Sequence, residues 1–158
     1  MMRMRWVDLL FAHWPMPVEA LRPLVPPMLE IETFDGIAWL GIVPFRMEDV
    51  APRFLPAPPL AGRFPELNVR TYVRHRGRSG VWFLSLDAAS RFAVEGARIG
   101  FHLPYFLARM SAQRDGSWIE YRSERADARG REALLDGRYR AIGPPAVAAR
   151  GTLDAWLT

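Results

Sequence analysis

The sequence contains neither lysine nor cysteine. Its 21 basic side chains are all arginine, and asparagine and glutamine occur only as Asn68 and Gln113. Without lysine, no side chain of this sequence can form a Schiff base with a carbonyl substrate or make the lysine contact of a phosphate-binding loop. Without cysteine, they supply no thiol nucleophile, no disulfide and no thiolate ligand for a metal ion.

The length and composition are those of one globular domain. A domain usually takes roughly 100–200 residues, so we expect residues 1–158 to form a single domain. Half of the residues are hydrophobic and 24% are charged, as in an ordinary soluble protein and unlike a disordered chain. A chain of this size buries about 70% of its unfolded surface, which is enough for a core without covalent staples.

The charge of the chain is positive but scattered. The net charge is +4 and the isoelectric point is 10.3, a range typical of nucleic-acid-binding proteins. The arginines, however, are spread among 17 acidic residues, and the densest group, Arg74, Arg76 and Arg78, surrounds a glycine-rich turn. A nucleic-acid interface usually has a longer basic stripe with aromatic residues in between. We therefore expect no nucleic-acid partner and interpret this group as an exposed hairpin tip.

Long apolar runs are absent as well. The apolar residues near the N-terminus are interrupted by Asp8, His13, Pro15 and Pro17, unlike the continuous apolar core of a signal peptide. No window approaches the ~20 apolar residues of a membrane-spanning helix. The sequence therefore predicts a cytoplasmic protein without a membrane partner.

The pattern of apolar residues predicts a mainly β (α+β) fold of antiparallel strands and short helices. Strands are predicted at 30–34, 37–47, 66–76, 81–87, 105–114, 117–125 and 133–142, and helices at 17–22, 91–101 and 153–157. Residues 51–65 contain five prolines. We expect them to form a loop over the surface or over the mouth of a pocket.

One predicted strand has polar side chains along a whole face. Glu66, Asn68, Arg70 and Tyr72 alternate with Leu, Val and Thr residues, so they share one side of the strand. Such a face is either exposed to solvent or lines a polar cavity. Asn68 is the only asparagine in the chain, which favours a specific role.

The turn after this strand decides which residues it faces. A four-residue turn at 77–80 places Arg70 opposite Asp87 and Tyr72 opposite Ser85 in the next strand. This register leaves a non-enzymatic alternative open, in which the polar residues form ion pairs such as Arg70–Asp87 in a structural or interaction protein.

A second group of polar residues lies where a predicted helix meets a strand. Arg98, His102 and Tyr105 are close together in the sequence there. They form either a capped helix end with a packed tyrosine or part of a polar site. The three histidines of the chain have no metal-ligand spacing, and no nucleophile elbow or glycine-rich phosphate loop occurs. We therefore expect no metal and no cofactor.

These segments resemble a widespread bacterial family of uncharacterised proteins with an acetoacetate decarboxylase-like fold. The matching stretches are Leu10–Pro15, Leu21–Pro26, Asp35–Trp39, Pro44–Phe45, Glu66–Val73, Gly80–Phe83, Ser85–Asp87, Ala97–Arg98 and Leu103–Tyr105. The resemblance implies a strongly bent antiparallel sheet that forms a cone or incomplete barrel around a pocket, with short helices outside it.

The resemblance also bears on the chemistry. It places Arg98 on a conserved-motif arginine of acetoacetate decarboxylase, Glu66 on an active-site glutamate, and Tyr105 and Phe106 on the lysine pair that supplies the Schiff-base amine. A decarboxylase of that kind needs an iminium as electron sink. Neither Tyr105 nor Phe106 can form one, so the fold can be shared while that mechanism cannot.

One departure from the resemblance concerns length. The similar proteins continue with more sheet after the segment that ends this sequence at Thr158. The sequence is then either a C-terminally shortened member or a truncated gene product. We expect a second subunit to complete the sheet edge, and therefore a homo-oligomer, with a dimer favoured.

The leading functional hypothesis is the binding of a small organic acid or a similar small molecule in a β-cone pocket. The expected ligand-binding residues are Asn68, Arg70, Tyr72, Trp82 and Arg98. Glu66, His102 and Tyr105 are the candidates for proton transfer. The sequence also allows a lysine-independent lyase, hydrolase or isomerase that uses Glu, His and Tyr, and it does not decide whether the protein is an enzyme.

Overall fold

A computed structural model of the protein describes residues 2–52 and 62–158. The strands are β1 (Met2–Val7), β2 (Ala12–Met16), β3 (Glu30–Ile31), β4 (Ala38–Pro52), β5 (Phe64–His75), β6 (Arg78–Ala88), β7 (Tyr105–Asp115), β8 (Trp118–Arg125) and β9 (Leu134–Tyr139). The helices are α1 (Val18–Leu21), α2 (Arg91–Phe101) and α3 (Leu153–Leu157), with a 3-10 turn at Arg22–Leu24. Most of the loop predicted at 51–65 lies outside the described residues.

The strands form one strongly curled sheet, a half-barrel, as predicted. Its order is β1-β4-β5-β6-β7-β8-β9, with β2 also paired to β4 and β3 to β5. One ladder differs from the antiparallel prediction, because β6 and β7 run parallel with Leu86 opposite Tyr105. A parallel pair needs a crossover connection, and α2 supplies it. The sheet is therefore mixed.

The helix predicted at 91–101 has these bounds in the structure. The Ser90 side chain caps its N-terminus by accepting a hydrogen bond from the Ala93 N–H. His102 ends it in the left-handed conformation, with φ of 55°. Val94 faces inward and is fully buried, whereas Phe92 and Ile99 are exposed. None of the described helices has the length and apolar character needed to span a membrane.

The register predicted for the β5–β6 hairpin is wrong. The strands are joined by a two-residue turn, with Arg76 and Gly77 both at positive φ, as a type I′ turn requires. The register set by this turn continues to Arg70, which therefore lies opposite Phe83 rather than Asp87. A bulge shifts the pairing between Arg70 and Val69. Tyr72 lies opposite Val81, and not Ser85.

The central strands bury side chains on both of their faces. The Glu66 face, named here for Glu66 on β5, also bears Val43, Phe45 and Ala88, which pack with Val94 of α2. The Asp87 face is the opposite side, and it bears Ile42, Pro44, Leu67 and Asp87. Strands β8 and β9 curl back over the Asp87 face, where Arg125 and Tyr121 reach the central strands.

A buried ion pair joins β8 to the Asp87 face. The Arg125 Nη2 lies 2.7 Å from an Asp87 carboxylate oxygen, and its Nε donates to the same oxygen at 2.9 Å. The guanidinium also stacks over the Phe106 ring at 4.2 Å. Burial raises the pKa of Asp87, and the hydrogen bond and charge of Arg125 oppose that shift. The ion pair predicted between Arg70 and Asp87 is therefore replaced by Asp87–Arg125.

We expect Arg125→Met to lower the free energy of unfolding by about 3–5 kcal/mol, because Asp87 would stay buried without its partner. The double variant Asp87→Leu/Arg125→Met should recover most of this loss, since it removes both charges. Urea unfolding curves measure both effects.

The control is Arg109→Met, which breaks the exposed Arg109–Glu124 pair between β7 and β8. Its unfolding midpoint should match that of the wild type, because exposed pairs contribute little. An equal loss in Arg109→Met and Arg125→Met would contradict the account of the buried pair.

Candidate functional site

Four polar side chains are buried in a row on the Glu66 face of β5. The exposed fractions are 2% for Glu66 and Asn68, 8% for Arg70 and 7% for Tyr72. They are buried because β5 lies between β4 and β6, with α2, Phe11 and α3 packed against the same face. The solvent-exposed alternative for this strand is therefore wrong. We call these four side chains the polar row.

Glu66 forms one end of the row, beside the apolar core. The Tyr105 hydroxyl donates to Glu66 Oε1 at 2.9 Å. Burial raises the pKa of Glu66 to about 7, and the hydrogen bond from Tyr105 opposes the shift. Burial, together with the Glu66 charge, raises the pKa of Tyr105. Glu66 can therefore gain or lose a proton near neutral pH while Tyr105 keeps its own.

A glycine makes room for the middle of the row. His13 of β2, Gly41 of β4 and Arg70 of β5 lie side by side across three paired strands. A Cβ at position 41 would lie 3.2 Å from the His13 ring and 3.3 Å from the Arg70 Cγ. The Arg70 guanidinium also stacks over the Phe11 ring, 5.1 Å from its centroid. The absent side chain thus lets the imidazole and the arginine share the face.

Tyr72 forms the other end of the row, and its hydroxyl fixes the state of His13. That hydroxyl donates its one proton to the Leu157 carbonyl at 2.6 Å, because a carbonyl can only accept. His13 Nε2, 2.8 Å from the same oxygen, must therefore be a donor. Burial and the charge of Arg70 lower the pKa of His13, which favours the neutral Nε2–H tautomer.

Several buried polar atoms on this face lack a hydrogen-bond partner within the described parts of the chain. They are Glu66 Oε2, Asn68 Oδ1, Arg70 Nε and Trp39 Nε1. Buried polar atoms are nearly always paired, because an unpaired one costs about 1–3 kcal/mol. The set comprises two donors, one amide oxygen and one carboxyl group that can donate or accept.

The other predicted site residues lie apart from the polar row. Arg98 donates to the Tyr105 backbone carbonyl at 2.7 Å and so ties α2 to β7. His102 is exposed at the end of α2. Trp82 is paired with Thr71 on the Asp87 side of the sheet, and its indole N–H donates to the Leu24 carbonyl.

One member of this face, His13, was not predicted as a site residue, whereas Trp39 was expected to form apolar wall or core. His13 lies far from β5 in the sequence and reaches it through β2–β4 and β4–β5 pairing. The available signal was the composition of Leu10–Pro15, an apolar stretch interrupted by one histidine. In the described residues, no group of three or more His, Asp or Glu side chains could hold a metal ion.

A separate cavity of about 120 Å³ lies on the Asp87 face. It is a partly open cleft between β2 and β4 on one side and β8 and β9 on the other, with Leu10, Ile42 and Leu135 in its wall. None of the predicted site residues lines it. The polar row and this cavity are therefore on opposite sides of the sheet.

The curled sheet and its short helices define a mainly β half-barrel with an acetoacetate decarboxylase-like fold. The DUF2071 family, described as "Uncharacterized conserved protein", matches residues 3–158, and the chain belongs to this family. It is 48% identical over 157 residues to "Uncharacterized protein YqjF" of Bacillus subtilis (strain 168). This match covers 99% of the chain but only 64% of that relative's length.

Solved structures of acetoacetate decarboxylase share the fold. The enzyme from Legionella pneumophila superposes with a TM-score of 0.59 at 16% identity, over 77% of this chain and 44% of that one. The enduracididine biosynthesis enzyme MppR, in complex with pyruvate, gives a TM-score of 0.56 at 12% identity, over 87% of this chain and 57% of that one. At such identities the similarity establishes the fold alone.

We expect Glu66→Gln to flatten the dependence of stability on pH. The folded protein keeps the Glu66 proton up to about pH 7, whereas the unfolded chain releases it near 4.5. The contribution of this proton to stability is therefore complete below pH 4.5 and is lost as the pH rises through 7. Between pH 4.5 and 7, the free energy of unfolding of the wild type should fall by on the order of 3 kcal/mol more than that of Glu66→Gln. Urea unfolding at a series of pH values measures the difference.

Glu120→Gln serves as the control, because Glu120 is an exposed glutamate on β8. Its profile should follow that of the wild type. Parallel profiles for the wild type and Glu66→Gln would show that Glu66 titrates like an ordinary carboxylate.

We expect Gly41→Ala to destabilise the protein by about 1–3 kcal/mol, since the new methyl group would push the His13 ring and the Arg70 side chain out of place. The matched control is Gly137→Ala on β9, where a Cβ meets nothing within 4 Å. Thermal and urea unfolding of both variants measure the difference. Equal stability of the two would mean that the space at Gly41 is not needed.

Proposed function

We propose that the polar row binds a small organic acid. The supporting observation is the set of buried, unpaired donors and acceptors on one face of the sheet, at Glu66, Asn68 and Arg70 of β5 and at Trp39 of β4. Polar atoms buried at such cost are usually part of a site that pairs them with a ligand or with water. The fold shared with acetoacetate decarboxylase and with MppR, which is described in complex with pyruvate, supports the same proposal.

The charges of the row indicate how the acid would lie. Arg70 has no acidic partner among the described salt bridges, so its guanidinium is suited to a carboxylate. The Trp39 indole N–H adds a second donor on the same face, two residues along β4 from Gly41, which pairs with Arg70. Asn68 is two residues along β5, about 7 Å away, and can meet a second polar group of the ligand. Arg98, Trp82 and His102 take no part in this proposal.

A second candidate is an enzyme in which Glu66 transfers a proton. Its support is the pKa of Glu66, about 7 in contact with Tyr105, since a general acid or base works best with a pKa near the working pH. Tyr105 and Phe106 stand where the resemblance places the decarboxylase lysines. A lysine-independent lyase, hydrolase or isomerase reaction is therefore the form this candidate takes.

We expect pyruvate, or another short carboxylic or oxo acid, to raise the Tm of the wild type in a thermal-shift screen. Arg70→Gln should abolish the rise, because it removes the cation of the row. At 100 times the Kd, a ligand stabilises the folded state by about 2.7 kcal/mol, which is readily measured. Arg122→Gln, at an exposed arginine on β8, should respond like the wild type.

The proposal fails if no acid stabilises the wild type, or if Arg70→Gln and Arg122→Gln respond alike. Mass spectrometry of the same incubations separates the two candidates. A binding protein leaves the acid unchanged. An enzyme consumes it, and then Glu66→Gln should stop the reaction.

A further inference from the structure

The helix α3 covers the Tyr72 end of the polar row. The Trp156 ring packs against the Tyr72 ring at 4.6 Å and against the Phe34 ring at 5.9 Å. Leu157 is buried, with 7% of its surface exposed. Its backbone carbonyl accepts the Tyr72 hydroxyl proton at 2.6 Å.

Within residues 2–52 and 62–158, the contacts of α3 are few. It has five residues, far fewer than a helix needs to be stable by itself. The segment before it, residues 140–149, has no helix or strand and is exposed throughout, with Ile142 at 97% and Val147 at 98%. Among the described residues, α3 is attached through Trp156, Leu157 and the Tyr72 hydrogen bond.

The Leu157 carbonyl occupies a position suited to an anionic oxygen. It receives the proton of Tyr72, whose hydroxyl oxygen in turn accepts from His13 and lies 3.4 Å from Arg70 Nη2. The Tyr72 hydroxyl thus lies between the Arg70 guanidinium and a neutral amide oxygen. A carboxylate oxygen in the same position would be the stronger acceptor, because it is charged.

We propose that α3 is a strap that closes the polar row, with its Leu157 carbonyl in the place of a ligand oxygen. The strap opens while the rest of the sheet stays folded, and an anionic ligand competes with it for Tyr72 and Arg70. The competition rests on the proposed function, whereas the local opening does not.

The absence of cysteine gives a direct test of the opening. In Leu157→Cys the introduced thiol is the only one in the chain, and it becomes reactive when α3 lifts. Ala108→Cys places a thiol on β7 at a site that is 4% exposed, where only wider unfolding exposes it. Under native conditions we expect the Leu157→Cys thiol to react with a disulfide reagent at least about tenfold faster.

A variant that weakens the attachment of α3 should change the reaction rate of the Leu157→Cys thiol alone. Phe34→Leu removes a ring that contacts Trp156 but lies outside the polar row. It should speed the reaction of Leu157→Cys and leave that of Ala108→Cys unchanged. If both thiols react at one rate, and Phe34→Leu changes both equally, then α3 opens only with the whole fold and the strap is overturned.

Ligand affinity tests the competition, with pyruvate as the probe. A strap that must open lowers the apparent affinity by the fraction of open molecules, so Phe34→Leu should bind pyruvate several-fold more tightly than the wild type. Equal affinities would overturn the competition and leave the proposed function intact. If neither protein binds pyruvate or any other screened acid, the proposed function and the competition fail together, and the thiol comparison alone decides whether α3 opens.

Discussion

The burial of a polar strand face is the constraint on which this structure depends. As a central strand, β5 is covered on both sides, so Glu66, Asn68, Arg70 and Tyr72 lose contact with water. A buried charge is costly unless it is paired, neutralised or stacked. Three members of the row meet this cost in different ways, whereas the Asn68 Oδ1 has no partner in the described chain. Glu66 binds a proton near neutral pH, Arg70 stacks on Phe11, and Tyr72 donates to a backbone carbonyl.

The Asp87 face meets the same problem with an ion pair. Asp87 and Arg125 neutralise each other and join the far strands of the half-barrel to its centre. Tyr121 adds hydrogen bonds to the carbonyls of Phe45 and Glu66. In the described chain this side leaves one buried side-chain atom without a partner, the Ser123 Oγ of β8, whereas the Glu66 face leaves four. The contrast explains why we assign ligand binding to the Glu66 face and a structural role to Asp87–Arg125.

The chain belongs to the DUF2071 family, and what it shares with acetoacetate decarboxylase is the fold. At the helix–strand junction where the resemblance places two lysines, Tyr105 donates to Glu66 and Phe106 stacks under Arg125. A phenol that holds its proton beside a carboxyl group with a pKa of about 7 is suited to acid–base work or to binding. It cannot form an iminium with a substrate.

Local sequence patterns determined much of the fold. The alternation in β5 and the helix α2 could be predicted from the sequence, because each depends on residues that are close together in the chain. The absence of lysine is a property of the composition and needs no structure. Other features depended on the tertiary structure. The β5–β6 turn has two residues rather than the predicted four, with Arg76 at positive φ, so Arg70 pairs with Phe83 and not with Asp87. Strand pairing brought His13 and Trp39 to β5, and sheet curvature brought Arg125 to Asp87. These contacts join residues far apart in sequence, and only the folded sheet decides which of them meet.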